Sequence, residues 1–260
     1  MMYLFIKNNN LTKVSNDKIL LKNLKKNSKW ITLNSLLIQF YDLFDKYLIK
    51  IFIGPIAVAS YSVPQQLTGK LSVISKSFSA FLLPNLARKK IDKNSFNISL
   101  NFFIKIIPII LFLILPFYTE ILKFWLGNSY NQTILDLAKI FTLSAIFSCS
   151  SHILITKFEA SKTLHRNLKI EFIFMPFFLL TLFFLTSGNY TLLQIGFLIL
   201  FKELFLFFIR LYLLKSEIKF FKHYYLYSIY FLIMLYYSFN NQNLFFILLV
   251  FLILNYLRKK

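Results

Sequence analysis

Long apolar runs separated by short polar gaps dominate the chain. An α-helix rises about 1.5 Å per residue, so about 20 residues cross a ~30 Å hydrocarbon core. On that measure the pattern predicts eight membrane-spanning helices, over roughly 31–53, 57–86, 100–119, 134–156, 170–187, 191–214, 224–239 and 243–257. The last two are short and closely spaced, and a re-entrant hairpin is the alternative there. Runs such as Ile106–Phe117, Phe172–Leu185 and Phe245–Leu254 are almost purely apolar and suit lipid on most sides. Pro108, Pro116 and Pro176 fall within spans, where proline is tolerated and kinks the helix.

Charge divides the gaps into two alternating kinds. Residues 1–29, 88–99, 157–169, 210–223 and the tail Arg258–Lys260 are rich in lysine and arginine, whereas the gaps near 54–56, 120–132, 187–191 and 239–243 hold Lys123 alone. Cytoplasmic loops carry the Lys/Arg excess. The alternation therefore predicts a multi-pass inner-membrane protein with both termini in the cytoplasm and an even number of spans. Trp30, Trp125 and several tyrosines fall at span ends, where amphipathic rings prefer the interface.

Composition sharpens the class. The 260 residues are 57% hydrophobic, with 33 Phe and only 5 Gly. Apolar runs this long read as transmembrane. The net charge of +20 is scattered through short loops rather than gathered on one basic face with interleaved aromatics, which argues against a nucleic-acid partner. Cys149 is alone and inside a predicted span, so no internal disulfide forms. Met1–Ile6 is too short for the apolar region of a signal peptide.

Two spans differ from the rest. Span 31–53 carries Ser35, Gln39, Asp42, Asp45, Lys46 and Lys50 at spacings of three and four, which is one helical stripe. Asp42 and Lys46 stand four apart and can pair. Span 57–86 carries Ser62, Gln65, Gly69, Ser72, Lys76 and Ser79 at the same spacings, with Lys70 beside them. A charged side chain at mid-membrane costs about 3 kcal/mol on insertion scales. Either these groups pair as helix-to-helix glue or they line a hydrophilic lumen. The lysines Lys46, Lys50, Lys70 and Lys76 outnumber Asp42 and Asp45, which favours a lumen for an anionic headgroup. Lys46, Lys70, Lys76, Gln39 and Gln65 are the candidate substrate contacts.

Elsewhere the polar signals are thinner. Asp136 and Lys139, three apart, suit a local pair. Lys202 and Glu203 are adjacent and point in different directions on a helix; either could face the lumen or a partner helix. His152 reads as a packing histidine, and Glu171 as an interfacial residue at a span start. No catalytic constellation, phosphate-binding glycine loop or metal-ligand spacing is visible, so neither enzyme activity nor a cofactor nor a metal is expected.

The run Trp30-Ile31-Thr32-Leu33, then Asp45-Lys46-Tyr47-Leu48-Ile49, Gly54, Val58-Ala59-Ser60-Tyr61-Ser62-Val63-Pro64 and Phe81-Leu82-Leu83-Pro84-Asn85-Leu86 resembles the middle of the O-antigen and capsule flippases. These belong to the multidrug/oligosaccharidyl-lipid/polysaccharide exporter superfamily. Phe124-Trp125-Leu126-Gly127 resembles the family's Trp-Leu-Gly after its ninth helix, and Glu159-Ala160-Ser161-Lys162 through Pro176 its passage into the eleventh. The likeness covers about residues 18–215. Lys46 stands where arginine is usual, which keeps the charge and loses the bidentate fork. The resemblance implies an all-α polytopic fold corresponding to the second lobe of a two-lobe flippase plus two extra helices. Residues 1–29 would be a cytoplasmic inter-lobe segment, 30–214 a six-helix transport lobe, and 215–260 two added helices with a basic tail. It further implies an undecaprenyl-diphosphate-linked oligosaccharide as substrate, membrane lipids around the lobe, and Asp42 or Asp45 taking up a coupling proton or cation. The chain would then be either a fragment or truncated reading frame, or one half completed by a separate N-terminal lobe. The rival readings are a drug/cation antiporter of the same superfamily, a glycan polymerase and an inactive fragment.

Overall fold

The computed structural model describes residues 18–87, 93–161, 163–188 and 191–215. The predicted spans 224–239 and 243–257, the basic tail and the beginning of the 1–29 segment lie outside these. Among the described residues the chain is helical throughout, without a strand. Eight α-helices follow in order: α1 (Lys18–Phe52), α2 (Pro55–Gly69), α3 (Ser72–Ala87), α4 (Lys93–Ile114), α5 (Tyr118–Leu126), α6 (Gln132–Ala160), α7 (Leu164–Ser187) and α8 (Leu192–Leu213).

Only α6, α7 and α8 are long and apolar enough to cross a membrane among the described residues, against eight predicted spans. Two causes account for the shortfall at the first two predicted spans. First, α1 is crowded with charge. It also starts at Lys18 rather than near residue 31, so residues 18–29, expected as loop, are helical. Its 35 residues extend about 50 Å at 1.5 Å each.

Second, the predicted span 57–86 is two helices of 15 and 16 residues, each too short to cross a ~30 Å core. The break falls at Gly69–Leu71. Glycine is a poor helix former, and here the ladder tightens. The Leu71 N–H donates to Thr68 O at 3.0 Å, and those of Val73 and Ile74 donate to Lys70 O and Leu71 O at 3.2 Å, while the Ser72 hydroxyl donates to Gly69 O at 2.7 Å. These are three-residue turns in place of four.

The α1–α2 connection is abrupt. The amides of Ile53 and Gly54 both donate to Ile49 O, at 2.9 and 3.0 Å, closing α1. Gly54 has φ +117, a conformation that side chains disfavour. Pro55 then opens α2, where its missing N–H has no cost. Proline acts again at residues 115–117, a 3-10 turn containing Pro116. It ends α4 five residues before the predicted boundary and lets α5 form where a loop was expected. α5 packs inward through Tyr118 and Leu122 onto Ile134, Leu135 and Ala138 of α6. The Tyr118 and Thr142 hydroxyls share a hydrogen bond of 2.6 Å.

The bundle is organised around α6, which packs against α2, α3, α4, α7 and α8. Its N-terminus is capped by the Asn131 side chain, which accepts the Ile134 N–H at 2.8 Å. Its most apolar stretch is 83% buried, against 22% for α7 and 28% for α8. Gly196 brings α8 close: a Cβ there would meet Leu137 Cδ2 at 2.9 Å. α6 is therefore the axis of the bundle, with α7 and α8 presenting Phe- and Leu-rich outer faces.

Candidate functional site

A cleft of about 380 Å³ opens between α1, the α2–α3 break, α6, α7 and α8. Helix α6 gives it a floor of small polar groups, Ser144, Ser148, Ser151 and His152. Gly69 and Ser72 bring the break itself to the wall. Four acids and four bases line the space: Asp42, Asp45, Glu171 and Glu203 against Lys46, Lys76, Lys202 and Arg210.

Asp45 is the most enclosed group of the α1 stripe, 4% exposed. One carboxylate oxygen accepts the Lys46 backbone N–H at 2.6 Å. The other accepts the Tyr61 hydroxyl and, at 3.4 Å, the Gln65 Nε2. Tyr61 is fully buried and packs edge-on to Phe141 of α6. The Val-x-x-Tyr-x-x-Pro segment thus supplies the hydroxyl that ties α2 to α1. Gln65 Oε1 and, on α6, Ser151 Oγ are buried without a protein hydrogen-bond partner.

A second cluster joins α7 to α8. Arg210 Nη2 pairs with Glu171 Oε1 at 2.5 Å, Arg210 Nε donates to Asn167 Oδ1 at 2.8 Å, and Asn167 Nδ2 donates to Glu171 Oε1 at 2.9 Å. All three side chains are buried. The Tyr41 hydroxyl reaches the Glu171 carbonyl at 3.4 Å, adding α1 to the tie. Lys202 and Glu203 pair at 3.1 Å on the same wall.

The structure brings together five of the seven residues singled out in the sequence: Lys46, Lys76, Gln65, Asp42 and Asp45 border the cleft. Gln39 and Lys70 are exposed and stand apart from it. The Asp42–Lys46 pair that the spacing allows is not formed, and Asp45 is the carboxylate that turns toward α2. The expected Asp136–Lys139 pair is formed, at 3.7 Å. Once Lys50 and Lys70 are set aside, the lysine excess read from the two stripes becomes an even balance.

Two charged wall residues, Glu171 and Arg210, escaped the sequence reading as a site, whereas Lys202 and Glu203 do face the cleft as that reading allowed. Glu171 is buried rather than interfacial, Arg210 is a buried helix residue rather than part of a basic loop, and Lys202 and Glu203 converge rather than diverge. One signal was present for Arg210: it interrupts the apolar run Phe207–Leu214. His152, expected as a packing residue, stands on the cleft wall.

No family model matches the chain, and neither a curated protein nor a solved structure matches it significantly.

Proposed function

We propose that the chain is the C-terminal transport lobe of a flippase that moves an undecaprenyl-diphosphate-linked oligosaccharide across the bacterial inner membrane by alternating access. The observation that carries this reading is the cleft: four acids and four bases, from α1, α3, α7 and α8, gathered around one polar space inside a bundle with membrane-length apolar helices. Each such charge costs about 3 kcal/mol in hydrocarbon, so a shared hydrated interior is what makes the set tolerable. Binding sites in transporters lie at such interior positions, with one half rocking against the other.

Lys46 and Lys76 stand outside the two ion pairs of the wall and attract the diphosphate. Gln65 and Ser151 border the cleft with buried, unpartnered oxygens that meet sugar hydroxyls once the cleft opens. Asp45 takes up the coupling proton or cation, and the prenyl chain stays in lipid. A separate N-terminal lobe closes the cleft from the opposite side.

The test is surface-glycan display in a cell lacking its own flippase, given this chain alone or with a first lobe in trans. Exchanging Lys46 and Lys76 for Gln should abolish display at unchanged protein level, and exchanging the outlying Lys70 should leave it intact. Display retained in the Lys46/Lys76 variant would sink the proposal. The even charge balance of the wall favours a second reading, a drug/cation antiporter. That reading requires ion-driven transport that is lost in Asp45→Asn and indifferent to Lys46.

A further inference from the structure

The ammonium of Lys202 lies in a corner built for a cation. Its Nζ stands 4.7 Å from the Tyr41 ring centre and 5.3 Å from that of Phe178. The two rings meet nearly at right angles, 76° apart with centroids 5.5 Å distant. Both are buried. Glu203 Oε1 closes the corner at 3.1 Å. A cation over an aromatic face is attracted by the ring quadrupole, and more strongly where water is excluded. Two ring faces and one carboxylate are the elements of a cage for organic ammonium groups. They come from three helices, α1, α7 and α8, and border the cleft. Lys202 is on a flexible four-carbon stem with a compact ammonium, which makes it an occupant that can leave.

We propose that Tyr41, Phe178 and Glu203 form a binding site for a small organic ammonium group, and that Lys202 fills this site as a tethered occupant. An incoming ammonium ligand displaces the lysine, which then swings into the cleft beside Lys46 and Lys76. Cation binding in the corner thereby adds a free positive charge to the space where an anion binds, so the two ligands bind with positive coupling. The coupling rests on the flippase reading, whereas the cation site itself does not, and its test reads binding rather than export.

Tetramethylammonium is the probe, titrated calorimetrically into the purified full chain in nanodiscs. Lys202→Gln removes the tethered charge and should tighten binding about tenfold, the effect of 1.4 kcal/mol. Adding Glu203→Gln should cancel the gain. Binding no tighter in Lys202→Gln than in the unaltered chain, or a gain that survives Glu203→Gln, would overturn the site. A second measurement needs no variant. Reductive methylation read by mass spectrometry should label the exposed Lys70 equally with and without tetramethylammonium, whereas Lys202 should label severalfold faster when the probe displaces it. Unchanged labelling of Lys202 at saturating probe would equally overturn the proposal.

Discussion

Replacing Arg210 by Met should cost the bundle far more than replacing Arg210 and Glu171 together. Arg210 is 5% exposed and Glu171 3%. The guanidinium gives one contact to the carboxylate at 2.5 Å and one to Asn167 at 2.8 Å. Removing it leaves Glu171 with the Asn167 amide and no countercharge. Breaking a buried pair from one side costs about 3–5 kcal/mol, a shift of a hundredfold or more in the folding equilibrium. In Arg210→Met with Glu171→Leu no charge is stranded, and buried pairs exchanged for apolar groups are often neutral. Asn167 then keeps an unmatched amide, worth about 1–3 kcal/mol. The double variant should therefore lose about 2 kcal/mol less than Arg210→Met alone. Sodium dodecyl sulfate titration of the bicelle-reconstituted chain, followed by helicity, measures all four corners. Equal losses in the single and double variants, or a loss below about 1 kcal/mol for Arg210→Met, would refute the reasoning.

Three further outcomes are expected. Tyr61→Phe takes a donor from the buried Asp45 carboxylate and should lower stability by about 1–3 kcal/mol in the same titration; an unchanged midpoint would mean that the hydroxyl contributes nothing. Gly196→Val should loosen the α6–α8 seam, because its first carbon already meets Leu137 at 2.9 Å, and overpacking of this kind costs about 1–3 kcal/mol. A water-soluble maleimide should label Ser148→Cys on the cleft wall while leaving the fully buried Cys149 untouched; equal labelling of the two by mass spectrometry would contradict a hydrated cleft.

The polar stripe of α1 was legible in the sequence because helical spacing alone puts Gln39, Asp42 and Lys46 near one line. Which acid turns inward was not legible, because that depends on Tyr61 arriving from the next helix. The break at Gly69 had a signal that went unused. A run of 30 residues, 57–86, exceeds what a ~30 Å core needs, and a glycine followed by a lysine marks its middle. Glu171, Lys202, Glu203 and Arg210 look ordinary in a hydropathy pattern, since single charges vanish in an average over apolar neighbours. Their meaning is pairwise, and it emerges only when α7 and α8 lie side by side. The lysine surplus misled for a related reason. Counting charges along two helices includes Lys50 and Lys70, whose directions set them apart from the cleft.

The burial of α6 has a bearing on how the chain is made. Helices emerge from the ribosome in order, so in a membrane α6 would enter the bilayer before α7 and α8 exist to cover it. Its mean hydropathy of 1.5, against 2.1 and 2.2 for the two helices that follow, makes it the least lipid-tolerant of the three at the moment it is most exposed to lipid. Ser144, Ser148, Ser151 and His152 would then face hydrocarbon until the walls of the cleft assemble around them. Biogenesis therefore contains a vulnerable interval, roughly the time needed to synthesise some 50 residues, a few seconds at cellular elongation rates. Membrane chaperones and proteases that survey half-built proteins have their best opportunity there. Substitutions that slow the docking of α8 would lower the amount of protein in the cell even where the finished bundle is as stable as before.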